Sequence, residues 1–288
     1  MAASPAHRFG QIIGEVLEAA VEPLLSDFAR KHGLYLDRHG PRPARPGNKV
    51  TWRDQHGNAH DLDFVLERGG GAEKLGSPVA FIETAWRRYT KHSRNKAQEI
   101  QGAILPLLET HRTAAPFAGV ILGGVFTEGA LNQLRSLGFA VVYFSYETIQ
   151  RAFRGAGIDA RSDEDTPDAE FAKKVKVWNA LSPARRGKVS KALVGKGGAQ
   201  LDEFMRRLER TVARRIESVR VLPLHGVVST LPTVEAAIAF IEHHQASASV
   251  EPLVGYEIQV RYSNGDRIEG RFSDKAAAVA FLQNYQHS

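Results

Sequence analysis

Apolar residues in the first part of the chain recur at the spacing of one helical face: Ile13, Val16, Leu17, Ala20, Val21, Leu24 and Phe28. The pattern predicts an amphipathic helix that stops at His32 and Gly33. Pro23 falls within this helix and is expected either to bend it or to begin a second one.

Strand and helix patterns then alternate. KVTWRD and HDLDFVLE flank the turn signal His56-Gly57-Asn58 and predict a hairpin. The later segments are the strand SPVAFIETAW, the helix NKAQEIQGAILPLLETH, the buried strand PFAGVILGGVF, the helix TEGALNQLRSLG with Thr127 as its cap, the strand GFAVVYFSY and the helix ETIQRAF. This alternation predicts an α/β domain whose mixed sheet is antiparallel at its start and parallel later.

The second half of the chain divides into two patterns. A charged helical stretch contains the helix candidates SPARRGKVSKAL and AQLDEFMRRLERTVARRI. After it, two similar segments each predict a hairpin followed by a short helix, with turns at His225-Gly226 and Asn264-Gly265 and with ASASVEPLVG as a linker between them. The predicted organisation is an α/β domain over 1–155, a helical connector over 156–215 and a small α+β domain of two ββα units over 216–288.

Composition narrows the possible chemistry. The chain has 288 residues and no cysteine, which excludes disulfides, thiolate zinc sites and cysteine nucleophiles and fits a reducing cytoplasm. The net charge of +6 favours polyanionic partners. The longest apolar stretch is shorter than a membrane span, and the first residues lack the apolar core of a signal peptide. We therefore expect a soluble cytoplasmic protein without a membrane partner.

The stretch FIETAWRRYTKHSRNK carries the candidate chemistry. Glu83 lies in an apolar strand, and Asp63 lies at the edge of another predicted strand. Two such carboxylates on adjacent strands repel each other unless a cation lies between them, and Mg²⁺ with oxygen ligands is suited to that position. A basic run with aromatic residues among its cations follows Glu83 and is expected to contact phosphates.

This order of elements, together with Asp63 and Glu83, resembles the PD-(D/E)XK nuclease superfamily, the fold of many restriction endonucleases, over roughly residues 8 to 153. The resemblance implies a restriction-endonuclease-like sheet core flanked by helices, with Asp63 and Glu83 as metal ligands. Glu18, or as a second choice Glu15, matches the acid that the family often places on its first helix. Leu62 stands where the family motif has proline.

The family's lysine, two residues after the glutamate, is replaced here by Ala85. Members with a displaced lysine supply it from the following helix, which implies Lys96 or, as a second choice, Lys91. The implied function is a Mg²⁺-dependent DNA endonuclease, a type II restriction enzyme that cuts double-stranded DNA as a homodimer. The residues expected to hold DNA are Arg87, Arg88, Tyr89, His92 and Arg94.

Several alternatives remain open at this point. Glu83 and Asp63 could form ordinary ion pairs with Arg87 and Arg53, and the basic run could be a solvated turn. The chain could be a DNA-binding or assembly protein that kept the fold and lost catalysis, or a nuclease of repair or recombination. The ββα units could serve base recognition or dimerisation.

Overall fold

A computed structural model describes residues 4–90, 93–224, 227–244 and 255–286. The chain divides into two compact units, Met1–Leu208 and Glu209–Ser288. Residues 156–208, which the sequence assigns to a connector, belong to the first unit. No helix in the described part of the chain combines the length and the apolar character of a membrane span.

The helices are α1 Pro5–Lys31, α2 Ser93–Thr110, α3 Glu128–Ser136, α4 Tyr146–Arg154, α5 Asp168–Ala180, α6 Pro183–Val212, α7 Val234–His243 and α8 Lys275–Gln283. The strands are β1 Leu34–Arg38, β2 Val50–Arg53, β3 Ala59–Leu62, β4 Phe64–Arg68, β5 Ser77–Arg87, β6 Phe117–Gly124, β7 Ala140–Ser145, β8 Ile216–Pro223, β9 Ser229–Leu231, β10 Tyr256–Tyr262 and β11 Arg267–Phe272.

The first unit is built on a mixed five-stranded sheet of order β1-β4-β5-β6-β7. β1, β4 and β5 pair antiparallel, whereas β5, β6 and β7 pair parallel, which confirms the predicted α/β class with a mixed sheet. Every residue of β6 is buried because helices cover both faces of the sheet. Side chains of α2 and α3 form a core with Phe81 and Ala85. On the other face, α1 packs on β5 and α4 packs on β6.

The predicted strand HDLDFVLE is two strands that meet at Asp63. β3 pairs with β2 in a two-stranded sheet, which confirms the predicted hairpin. β4 begins at Phe64 and belongs to the five-stranded sheet instead. Asp63 is therefore the residue at which the chain passes from one sheet to the other, where its side chain is only partly buried.

For three elements the structure adds to the prediction, decides between two alternatives or differs from it. β1 was not predicted, although its burial and its pairing with β4 make it an edge strand of the sheet. α1 continues through Pro23, so no second helix begins there. The two predicted helices after residue 182 are one helix, α6, which continues through Gly195 and Gly197.

Close packing explains why one of the glycines within α6, Gly197, is a glycine. A Cβ atom on Gly197 would lie 2.4 Å from the ring of Phe144 on β7, so glycine lets the helix approach this strand. Further along α6, the Gln200 Oε1 atom accepts a hydrogen bond from the Tyr143 N–H (2.9 Å), and its Nε2 atom donates to the Tyr143 carbonyl (3.3 Å). The side chain of Gln200 thus binds the backbone of β7 as a neighbouring strand would.

Four buried charges hold the loop after β1 against the sheet. Arg42 makes two hydrogen bonds to Glu67 (2.5 and 3.0 Å) and an ion pair with Asp37 (2.8 Å). Arg45 makes two hydrogen bonds to Asp37, 2.9 and 3.0 Å long. All four side chains are at most 2% exposed, and the remaining donors reach backbone carbonyls of Gly71 and Gly47 among others. These are well-satisfied buried charges, and each depends on its partners.

An Arg42→Met variant is expected to lose about 3 kcal/mol or more of unfolding free energy, because it leaves the buried Glu67 carboxylate without its cation and removes one of the two cations that contact Asp37. Urea denaturation measures this loss. Arg38→Met is the matched control, since Arg38 pairs with Glu22 while 55% exposed and such surface pairs contribute about 1 kcal/mol or less. Equal losses in the two variants would contradict a stabilising role for the buried charges.

The second unit is an antiparallel four-stranded sheet of order β11-β10-β8-β9. β8, β9 and α7 form one ββα unit, and β10, β11 and α8 form the other. The two ββα units join through the antiparallel pairing of β8 with β10, and both helices contribute to one core. The predicted turn His225-Gly226 lies outside the described residues, as does the predicted linker except for Gly255.

Candidate active site

Glu83 and Lys96 meet on the face of the sheet that α2 covers. Phe81 and Ala85 flank Glu83 on β5 and pack against α2, so the carboxyl group points to the same side. Lys96 lies in the first turn of α2, and its Nζ atom is 3.5 Å from Glu83 Oε1. Both side chains are largely buried, 18% and 13% exposed. The structure thus places the Lys96 ammonium next to the Glu83 carboxylate.

Asp63 is fixed beside Glu83 by two hydrogen bonds from Thr84. Its Oδ2 atom accepts hydrogen bonds from the Thr84 N–H (2.6 Å) and the Thr84 hydroxyl (2.7 Å). Thr84 follows Glu83 on β5, so these two bonds fix the Asp63 carboxylate at the residue next to Glu83.

The environment of Glu83 disfavours its negative charge. Burial raises the pKa of the Glu83 carboxyl to about 8, and the charge of Asp63 adds to the increase, while Lys96 opposes it. The Oε2 atom of Glu83 is buried and has no hydrogen-bond partner among the described residues. A buried carboxylate oxygen without a donor is costly and can be stabilised by a bound cation.

Glu18 on α1 is the third acid near this position. Burial raises its pKa to about 7, and the charges of Asp63 and then Glu15 contribute. Glu15, the second choice from the sequence, is exposed and forms an ion pair with Arg8 at 2.7 Å. Glu18, rather than Glu15, is therefore the acid of α1 whose pKa the charge of Asp63 raises.

The carboxylate oxygens of Asp63 and Glu83 suit a hard divalent cation that binds few protein ligands. Mg²⁺ commonly binds one or two carboxylates and completes its shell with water and substrate phosphates. Asp63 and Glu83 can supply such a pair, and the unpartnered Glu83 oxygen is suited to it. In the part of the chain that the structure describes, no three His, Cys, Asp or Glu side chains form a ready-made metal site. Glu18 is thus a neighbour of the acidic pair rather than a third member of a preformed site.

The basic run after β5 is only partly available to a ligand. Arg87 donates to Glu99 (3.3 Å) and to the Trp86 carbonyl (2.9 Å), so it does not pair with Glu83. The Arg88 guanidinium lies 4.3 Å from the ring centroid of Phe171 and donates to the Ala6 carbonyl. Arg53, the other partner considered from the sequence, donates to the Gly57 carbonyl.

Of the other residues predicted to contact DNA, Tyr89 is bonded within the protein and Arg94 is exposed. The Tyr89 hydroxyl donates to the Asp163 carbonyl at 2.9 Å. Arg94 is exposed at the start of α2, and its guanidinium has no partner among the residues that the structure covers. Lys91 and His92 lie outside the described residues. Of the described arginines in this run, Arg94 is thus the one whose charge faces solvent.

Comparison with known proteins adds little to this geometry. No family model matches the chain, and no curated protein matches it. A solved crystal structure of a protein of unknown function is similar over 64% of this chain and 98% of that one, with 13% sequence identity and a TM-score of 0.27. A similarity of this size carries no argument about fold or function, so the site must be interpreted from its own contacts.

Glu99 is a residue of this site that the sequence did not single out. Its Oε2 atom lies 3.5 Å from Lys96 Nζ and 3.3 Å from the Arg87 guanidinium. The signal was present, because residues three apart on a helix share a face and Glu99 follows Lys96 by three positions. The site therefore contains an unbroken series of alternating charges: Arg87, Glu99, Lys96 and Glu83.

Proposed function

We propose that the chain is a Mg²⁺-dependent DNA endonuclease that hydrolyses phosphodiester bonds, a type II restriction endonuclease that acts as a homodimer on double-stranded DNA. One observation carries the proposal: the Lys96 ammonium lies 3.5 Å from Glu83, a buried acid that has an unpartnered oxygen and lies beside Asp63. Acids that hold a divalent cation, with an ammonium beside them to stabilise the developing negative charge, are suited to metal-assisted phosphodiester hydrolysis.

Each residue has a distinct role in this proposal. Asp63 and Glu83 would hold the cation, which when bound polarises a phosphodiester and lowers the pKa of a coordinated water. Lys96 orients the attacking water and stabilises the negative charge that develops on the phosphate oxygens. Glu18 lies near Asp63 and offers a further carboxylate on that side. Thr84 keeps the Asp63 carboxylate in place through two hydrogen bonds.

A rival function follows from one specific observation. Ala85 occupies the position of the family's lysine and is buried in the core, so that position offers no cation. A chain that had lost catalysis and kept DNA binding or assembly would have this feature. A measurement of cleavage distinguishes the two functions, because the Lys96 ammonium beside a buried carboxylate would also stabilise a fold without catalysis.

Cleavage of supercoiled plasmid tests the proposed function. Wild-type protein is expected to nick or linearise the plasmid with Mg²⁺ and not with EDTA. Asp63→Asn should remove cleavage, although asparagine can still accept the Thr84 hydrogen bonds. Asp61→Asn is the matched control, since Asp61 is two residues away and pairs with the exposed Lys49. DNA binding without cleavage by all three proteins would favour the rival.

The form of DNA that the protein cleaves distinguishes a restriction enzyme from a nuclease of repair or recombination. A restriction enzyme cuts genomic DNA into discrete fragments at a specific sequence, and a twofold-symmetric dimer would cut both strands of a palindrome. Cleavage of branched or mismatched DNA alone would replace the restriction assignment with one in repair or recombination. The second unit would supply base recognition or the dimer contacts in either case.

Arg94→Ala is expected to weaken binding equally across DNA sequences and to reduce the slope of log affinity against log salt by about one. The reason is that an exposed arginine at the mouth of the site releases counterions when it contacts a phosphate. Binding titrations at several salt concentrations measure the slope. Arg112→Ala, which changes an exposed arginine just beyond the other end of α2, should leave it unchanged. An identical slope in both variants would contradict a phosphate contact by Arg94.

A further inference from the structure

The Lys96 ammonium is shared between two carboxylates rather than bound to one. Its Nζ atom lies 3.5 Å from Glu83 Oε1 and 3.5 Å from Glu99 Oε2. Glu83 belongs to the acidic pair described above, whereas Glu99 lies on α2 and is 58% exposed. The two contacts differ in what happens to them when a cation is bound.

A divalent cation at Glu83 changes the balance of forces on Lys96. The cation neutralises the carboxylate that attracts the ammonium and adds a positive charge a few ångströms away, so the contact with Glu83 becomes repulsive. Lys96 has a long, flexible side chain that would then turn into solvent. Glu99 is outside the acidic pair and keeps its charge, so its attraction for the ammonium persists.

Glu99 is itself held in position by a second cation. The Arg87 guanidinium donates to Glu99 Oε2 at 3.3 Å and to the Trp86 carbonyl at 2.9 Å. Arg87 is the last residue of β5, so a residue anchored in the sheet holds the Glu99 carboxylate in position. Without such an anchor, an exposed carboxylate would adopt several rotamers and would hold Lys96 poorly.

We propose that Glu99 is a positioning residue that keeps the Lys96 ammonium beside the acidic pair once a divalent cation occupies Glu83. This inference rests on the proposed function, in which Lys96 acts on the attacking water. Glu99 itself touches neither the water nor the phosphate. Its effect on cleavage is exerted through Lys96 alone.

Single-turnover cleavage of plasmid DNA with Mg²⁺ tests this role. Glu99→Gln is expected to slow the cleavage step about 10-fold while the affinity for DNA and the melting temperature stay as in wild type. Glu99→Asp, which keeps the charge on a shorter side chain, should recover most of the rate. Glu109→Gln is the matched control because Glu109 is also on α2, is 57% exposed and pairs with Arg112.

Three results would overturn the inference while leaving the nuclease in place. They are an unchanged rate in Glu99→Gln, a loss that appears only in DNA affinity, and an equal loss in the Gln and Asp variants. If wild-type protein shows no Mg²⁺-dependent cleavage, the proposed function fails first, and the role of Glu99 fails with it. The two failures are therefore distinguished by the wild-type lane of the same experiment.

Discussion

A Lys96→Met variant is expected to bind DNA almost as tightly as wild type and to cleave it about 10³-fold more slowly. The loss is large because the ammonium acts in a largely buried site, where charge stabilisation is stronger than in water. Binding should be preserved because the Lys96 side chain is only 18% exposed, whereas Arg94 is exposed to solvent. Methionine preserves most of the length of the side chain, so packing on α2 should change little.

Cleavage rates at saturating enzyme and binding titrations on the same DNA separate the two effects. Lys176→Met on α5 is the control, since it removes an exposed lysine from another helix of the first unit. Turnover at the wild-type rate in Lys96→Met would transfer the role to Lys91 or remove lysine from the mechanism. A parallel loss of binding and cleavage would instead make Lys96 a DNA contact.

A Glu83→Gln variant is expected to abolish cleavage and to stabilise the metal-free protein at alkaline pH. The pKa of Glu83 is about 8 in the folded chain against an ordinary value of 4.5. At low pH the carboxyl is protonated in both folded and unfolded chains, so it has no effect. As pH rises through this interval, the unfolded chain loses the proton first, and the free energy of unfolding falls.

Glutamine cannot ionise, so the variant avoids this loss. Its advantage over wild type should be on the order of 5 kcal/mol near pH 9 and should vanish near pH 4, because each pKa unit between 4.5 and 8 corresponds to about 1.4 kcal/mol. Urea denaturation in EDTA at both pH values measures the difference. Adding Mg²⁺ should stabilise wild type and not the variant, since a ligand stabilises only a fold that binds it. Stability curves that stay parallel across this pH range would contradict a buried, ionising Glu83.

Much of the fold could be predicted because local sequence patterns indicate most of its helices and strands. The apolar run of β6 indicated a buried strand, and Thr127 does cap α3 by accepting a hydrogen bond from the Ala130 N–H. The missed strand β1 has only five residues and acquires its burial from β4. Gly197, which lies where the sequence predicts a break between two helices, is explained by its close approach to Phe144, and no local pattern shows this contact. Tertiary contacts therefore account for these errors.

The sequence also selected part of the candidate site. Strand context and the resemblance selected Asp63 and Glu83, and the start of α2 selected Lys96. Sequence spacing could not show that Arg88 packs on Phe171, because the two residues are far apart in the chain. Nor could it show that Arg42 pairs with Glu67 at 25 positions' separation. Contacts of this kind depend on how the elements pack.

The side chain of Gln200 has a consequence for self-association. The outer edge of a sheet normally offers free N–H and C=O groups to which a strand of another molecule can add, and this route leads to aggregates and fibrils. At Tyr143 both groups are already bound to the Gln200 amide. Strand addition along β7 would first have to displace α6 at this point. At this point α6 thus blocks polymerisation by strand addition to the edge of the sheet that β7 forms.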